Sequence, residues 1–253
     1  MAKIISFTNQ KGGVGKTTSA VNIAASLGVL GKKTLLFDLD PQGNSTSGLG
    51  IVKKKLHLTS YDVLLGNCPA KDAITETKFD NLSVIPTNIA LSGAEFELFE
   101  LEDNKTMLKK ALSGLDGDFD YIIIDCPPSL GMLTINALIA SDGVIIPMQC
   151  EFYSLEGLSQ LMTTLTQVKK KYNPELLITG ILITMYNGRL LLSMQVLSEL
   201  KRHYGDKLFS TMISRNVKLS EAPSFGVPVY YHDKHAKGSA EYLEVAKELT
   251  ERI

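Results

Sequence analysis

Asn9-Gln10-Lys11-Gly12-Gly13-Val14-Gly15-Lys16-Thr17-Thr18 stands between two apolar stretches of different period. Upstream, Lys3 to Thr8 reads as a short buried strand with Ile4, Ile5 and Phe7. Downstream, Thr18 to Leu30 reads as a helix of small and apolar residues, among them Ala20, Val21, Ile23, Ala24, Ala25 and Leu27. Strand, glycine-rich turn, Gly-Lys-Thr and helix form a cradle for a polyphosphate. The backbone N–H groups of residues 11–18 and the positive end of the helix point at the anion. Lys16 would reach the β- and γ-phosphates, and Thr17 would place its hydroxyl on Mg²⁺. One detail departs from the usual phosphate loop. The glycine expected five residues before the Gly-Lys pair is Gln10, followed by Lys11 and two glycines. Lys11 adds a positive charge that one bound nucleotide does not need, unless it is simply a solvated surface lysine.

Moving outward, Lys33 to Asp38 reads as a second strand after Gly31, a helix-ending glycine. It runs into Asp38-Leu39-Asp40-Pro41-Gln42-Gly43. Period-two geometry puts Asp38 and Asp40 on one side of the strand end, where parallel sheets carry their sites. Two carboxylates beside Mg²⁺ and an attacking water have chemistry to perform. Taken alone, Asp-Pro-Gln-Gly could be only a turn. Asp120 to Asp125 is an apolar β-branched run ending in Asp, followed by Cys126-Pro127-Pro128. A central parallel strand delivers a carboxylate to a metal-bound water in this way. Cys126 reads as a small buried residue, with no histidine nearby to activate it.

The remaining chain alternates strands with helices. Strands are expected at Leu82–Ile85, Gly143–Met148, Leu177–Met185 and Leu208–Ile213. Helices are expected at Thr59–Leu65, Ala90–Leu101, Lys105–Leu115, Ser154–Lys171, Leu191–His203 and Ser239–Arg252. The acidic residues between the apolar positions of 90–115 read as solvated helix faces. Residues 43–57, rich in Gly, Ser and Lys, read as a mobile surface loop. The pattern predicts one α/β domain over residues 1–253, a doubly wound, mainly parallel sheet with helices on both faces.

Composition narrows the function. The 253 residues carry a net charge of −1, so any nucleic-acid or membrane contact must come from a local patch. Three cysteines without metal-type spacing suggest reduced thiols in a cytoplasmic protein. No apolar run approaches the ~18 residues of a spanning helix. The final helix, with Tyr242, Leu243, Val245, Ala246 and Leu249, is expected to dock on the core.

The string Lys11-Gly12-Gly13-Val14-Gly15-Lys16-Thr17, together with residues 38–43, resembles the ParA/Soj partitioning ATPases of the deviant phosphate-loop group. The likeness extends through Ile123 to Ser129, Gln149-Cys150-Glu151, Leu155-Glu156-Gly157-Leu158 and Arg215 to Ser224, and so covers essentially the whole chain. It implies a phosphate-loop NTPase fold, ATP or ADP with Mg²⁺, and an ATP-dependent homodimer in which Lys11 reaches the partner's phosphates. By the same resemblance Thr17, Asp38 and Asp125 serve the metal, and Asp40, with Lys11 and Lys16, serves hydrolysis. Residues 12–18 hold phosphate, and Arg215 and Asn216 pack on adenine, although Ser214 stands where a proline is common. Nonspecific double-stranded DNA is the implied ligand of Arg189 and Lys218, which Lys201, Arg202, Lys234 and Lys237 could extend. A ParB/Spo-type centromere-binding protein is the implied partner and the nucleoid the implied location, with no membrane role.

Three other readings share the phosphate loop. A MinD-like membrane switch needs a basic amphipathic tail. An ATP-dependent amidase or synthetase needs a substrate pocket or an added amidase domain. An iron–sulfur reductase needs cluster-ligating cysteines, which Cys126 and Cys150 do not resemble.

Overall fold

The computed structural model describes residues 1–253. Every residue of β2 (Thr34–Asp38) and β5 (Tyr121–Asp125) is buried, because these strands run through the middle of a seven-stranded sheet. β5 lies between β2 and β1 (Lys3–Phe7). β6 (Gly143–Gln149) follows β1, and β7 (Leu177–Thr184) closes that edge. On the other side come β4 (Leu82–Ile85) and the two-residue β3 (Thr75–Glu76), giving the order β3-β4-β2-β5-β1-β6-β7. All pairings are parallel except β3 with β4.

Successive side chains of each strand face opposite layers, as strand geometry requires. Leu36, Ile123 and Ile145 pack with α1 (Lys16–Val29) and α11 (Lys237–Arg252) on one face. Leu35, Phe37, Ile122 and Ile124 face α3 (Ser60–Leu65), α4 (Leu91–Phe99), α5 (Met107–Ser113) and α6 (Met132–Ala140). Val144, Ile146 and Met148 face α7 (Phe152–Lys171) and α8 (Leu191–Tyr204). The doubly wound expectation holds. α6 was not anticipated, although Leu133, Ala137 and Leu138 carry helical spacing. The final helix docks as expected, with Tyr242, Val245, Ala246 and Leu249 buried.

Two expectations fail. Leu208–Ile213 is not a strand; only Leu208 and Ser214 form isolated bridges, to Ile181 and Tyr186. The Phe209 and Ile213 N–H groups donate to the Ile181 and Ile183 carbonyls of β7 at 3.0 and 2.8 Å, while the Ser210 and Ser214 N–H groups donate to the Glu248 and Glu241 carboxylates of α11 at 3.0 and 2.9 Å, so the contact with β7 stays discontinuous. Residues 43–57 are not a mobile loop throughout. α2 (Asn44–Gly48) lies there with Ser45 and Thr46 fully buried. Two short helices, α9 (Val217–Glu221) and α10 (Val229–His232), lead into α11.

Candidate functional site

The segment between β1 and α1 opens at the C-terminal end of the sheet, where the chain crosses from the β2 side to the β6 side. Gly13 and Gly15 hold φ of +73° and +86°, which L side chains disfavour. A Cβ on Gly12 or Gly13 would meet no atom within 4 Å. No side chain caps α1, so its first-turn N–H groups lack that partner. Neighbouring strands hold the loop from outside: Thr184 Oγ1 donates to the Val14 carbonyl at 2.8 Å, and Gln149 Nε2 to the Gly13 carbonyl at 2.8 Å. Asn9 spans from the Pro147 carbonyl to the Lys11 N–H, each at 2.9 Å.

Lys16 is buried, and its ammonium donates to the Lys11 carbonyl at 3.0 Å without pairing to a carboxylate. Burial lowers its pKa, while Asp125 and Asp40 oppose the shift. Asp38 and Asp125 are register partners on adjacent strands, both fully buried. Asp38 Oδ2 accepts from the Thr46 N–H at 2.8 Å and the Thr46 hydroxyl at 2.6 Å. Asp125 Oδ2 accepts from the Ser45 hydroxyl at 2.8 Å, whereas its Oδ1 is buried with no partner. Burial first, and then Asp38, pushes the Asp125 carboxyl well above the usual carboxylate range. Asp38 moves the same way through burial, opposed by its bonds from Thr46. Asp40 turns its Oδ1 to the Gln42 N–H at 3.0 Å.

This set fits a magnesium–polyphosphate group. A buried ammonium without a counter-ion, an uncapped helix start and an orphaned carboxylate oxygen are each costly alone and satisfied together by such a ligand. No three His, Cys, Asp or Glu side chains could hold a metal by themselves. That suits Mg²⁺, which keeps waters and takes phosphate oxygens.

Arg215 and Asn216, far along the chain, share a cavity of about 380 Å³ with Gly15, Thr18, Thr184 and Pro223. Asn216 caps α9 by accepting from the Lys218 N–H at 2.8 Å. The Ser214 hydroxyl turns to Glu241 at 3.1 Å. Lys11 leaves the loop on the outside and pairs with Glu151. Thr17 follows Lys16 at the helix start, beside Asp125. Arg189 is exposed and unpaired, but Lys218 pairs with Glu221 at 2.9 Å, so its charge is partly neutralised. Lys237 lies within 3.6 Å of Glu241. Cys126 and Cys150 are buried, and burial pushes both thiols up, Cys150 to about 11.

Sequence reasoning missed Ser45, Thr46 and Thr184 as supports. The polar run Asn44-Ser45-Thr46, four residues beyond Asp40, was the available signal for the first two. Thr184 carried none.

The family model described as an AAA domain matches residues 2–178. The chain is 53% identical over 249 residues to sporulation initiation inhibitor protein Soj of Bacillus subtilis, covering 98% of each chain. It is 46% identical over 252 residues to chromosome partitioning protein ParA of Caulobacter vibrioides, covering 99% of this chain and 94% of that one. Among solved structures, cobyrinic acid a,c-diamide synthase from Mycobacterium smegmatis with bound ADP and magnesium gives a TM-score of 0.85 at 38% identity. That match covers 98% of this chain and 93% of the other.

Proposed function

This chain is a member of the Soj/ParA family of chromosome-partitioning ATPases, and we propose that it works as an ATP-driven dimer switch on DNA. ATP is the substrate, and two copies close around it. The dimer holds double-stranded DNA without sequence preference and lets go when a ParB/Spo-type centromere-binding protein stimulates hydrolysis.

The observation that carries this reading is the division of labour between two lysines of one loop. Lys16 is buried over the crevice and forms no ion pair, which leaves its ammonium open to a phosphate within one chain. Lys11 lies outside, held only by Glu151, and is available to phosphates of a second chain. Residues 12–18 cradle the phosphates with backbone N–H groups. Thr17, Asp125 and Asp38 would hold Mg²⁺. When bound, Mg²⁺ supplies charge neutralisation at the β- and γ-oxygens. Asp40 orients the attacking water, and Arg215 and Asn216 bound the base. Arg189 contacts DNA phosphate; Lys218 contributes less while Glu221 holds it.

The likeness to cobyrinic acid a,c-diamide synthase supports the nucleotide chemistry. Higher identity to Soj and ParA along the full chain favours partitioning over an amide-forming reaction. A direct test is ATP turnover measured with and without duplex DNA, and with and without a ParB/Spo-type centromere-binding protein. Stimulation by DNA and by the centromere-binding protein is expected. Stimulation by anionic lipid vesicles instead would move the chain to the MinD-like reading. No helix here is long and apolar enough to cross a membrane.

A further inference from the structure

The apolar spacing of residues 90–101 predicts a helix with its hydrophobic side chains turned inward, and α4 obeys only in part. Leu91, Ala94 and Leu98 are buried, but Phe96 is 79% exposed and Phe99 68%. Three residues apart, the two rings share one face of the helix, and Leu101 is exposed just beyond it. The same stretch, Glu95 to Asp103, carries five carboxylates and no base, in a chain whose net charge is only −1. Three of the five are engaged: Glu97 accepts from the Tyr61 hydroxyl at 2.8 Å, Glu95 from the Leu133 N–H at 3.4 Å, and Asp103 pairs with Lys110. Glu100 and Glu102 are exposed and make no ion pair or side-chain hydrogen bond. A single exposed phenylalanine needs no explanation, but two on one face beside unpaired acids mark an interaction surface.

We propose that this face of α4 docks a cationic amphipathic segment of another protein. Its apolar side chains cover Phe96 and Phe99, and its Lys or Arg side chains meet Glu100 and Glu102. The location gives such a partner leverage. Just before α4, the Thr87 N–H donates to Thr46 Oγ1 at 2.9 Å, and Thr46 in turn holds Asp38. Glu95 touches the start of α6, the helix that follows the Asp125 strand. A segment seated on α4 therefore bears on both elements that carry the buried carboxylates.

The test is fluorescence anisotropy on the full chain at about 0.15 M salt. The probe is a labelled Lys/Leu amphipathic helix about 18 residues long, near five turns, and the control is its Glu/Leu counterpart. The Lys/Leu peptide is expected to bind and the Glu/Leu peptide to stay free. Phe96→Ser with Phe99→Ser should weaken binding about tenfold or more. Glu100→Gln with Glu102→Gln should weaken it several-fold and flatten its salt dependence. Because all four side chains are exposed, thermal midpoints and basal ATP turnover should stay at the parent values. The proposal is overturned if the parent fails to bind the Lys/Leu peptide, if the phenylalanine pair can be replaced without loss, or if the acidic peptide binds equally. A change in sedimentation of the protein alone on replacing the phenylalanines would also overturn it, assigning the face to a second copy.

Discussion

Lys16 and Lys11 leave the same loop and meet opposite surroundings. Lys16 feels the charges of Asp125 and Asp40, donates to the Lys11 carbonyl, is 7% exposed, and forms no ion pair. Lys11 lies at the rim, where its side chain is 38% exposed and pairs with Glu151, itself 50% exposed. Burying an ammonium without a close ion pair costs folding free energy, which an anion arriving in the crevice would offset. An exposed pair costs little and contributes little, about 0–1 kcal/mol, so it can be exchanged for another partner. Under the proposed function the inner lysine is the nucleotide ligand within one chain, while the outer one can change partners.

Breaking the inner half should have the largest effect. Asp40→Ala should lower ATP hydrolysis by about 10²–10⁴-fold, while sedimentation with ATP still shows a dimer. A monomer under those conditions would remove Asp40 from the catalytic role. Lys16→Ala should cost ATP affinity about 100-fold, the loss of a charge-assisted phosphate contact. The same change should leave apo stability unchanged or raised, because a buried unpaired charge is gone. Calorimetry of binding and of unfolding checks both signs, and a destabilised apo variant would mean that Lys16 is structural.

The outer half should separate binding from assembly. Lys11→Ala should keep ATP affinity of the monomer within about twofold but abolish ATP-dependent dimerisation. A large loss of monomer affinity would place Lys11 in its own chain's site. Smallest of all, Arg189→Ala should reduce the salt slope of DNA binding by about one, without altering dimerisation. Lys218→Ala should change that slope less, because Glu221 already occupies the charge. Equal slopes for the two variants would show that the Lys218–Glu221 pair opens on DNA.

How far the chain could be read depended on the range over which each feature is determined. The β1–loop–α1 unit and the aspartates at the ends of β2 and β5 were legible because they rest on local periodicity and backbone chemistry. Residues 208–213 have the composition of a strand, yet they meet β7 only at Phe209 and Ile213, and their other face is taken by Glu248 and Glu241 from a helix that arrives later in the chain. The stretch 43–57 looked solvent-loving because Ser, Thr and Lys are polar. Ser45 and Thr46 are buried all the same, each hydroxyl satisfied by a carboxylate. The spacing of α4 identified a helix but could not show that Phe96 and Phe99 turn away from the core.

By itself, then, the sequence determined that a glycine-rich loop with two lysines opens a parallel α/β sheet, and that two of its strands end in carboxylates. Those properties follow from residues a few positions apart. Only the tertiary structure decided which groups meet: Ser45 with Asp125 across 80 residues, Thr184 with Val14 across 170, and Arg215 beside Gly15. Such contacts depend on strand order and on which faces pack together. The same packing sent one lysine of the loop into the crevice and left the other at the rim.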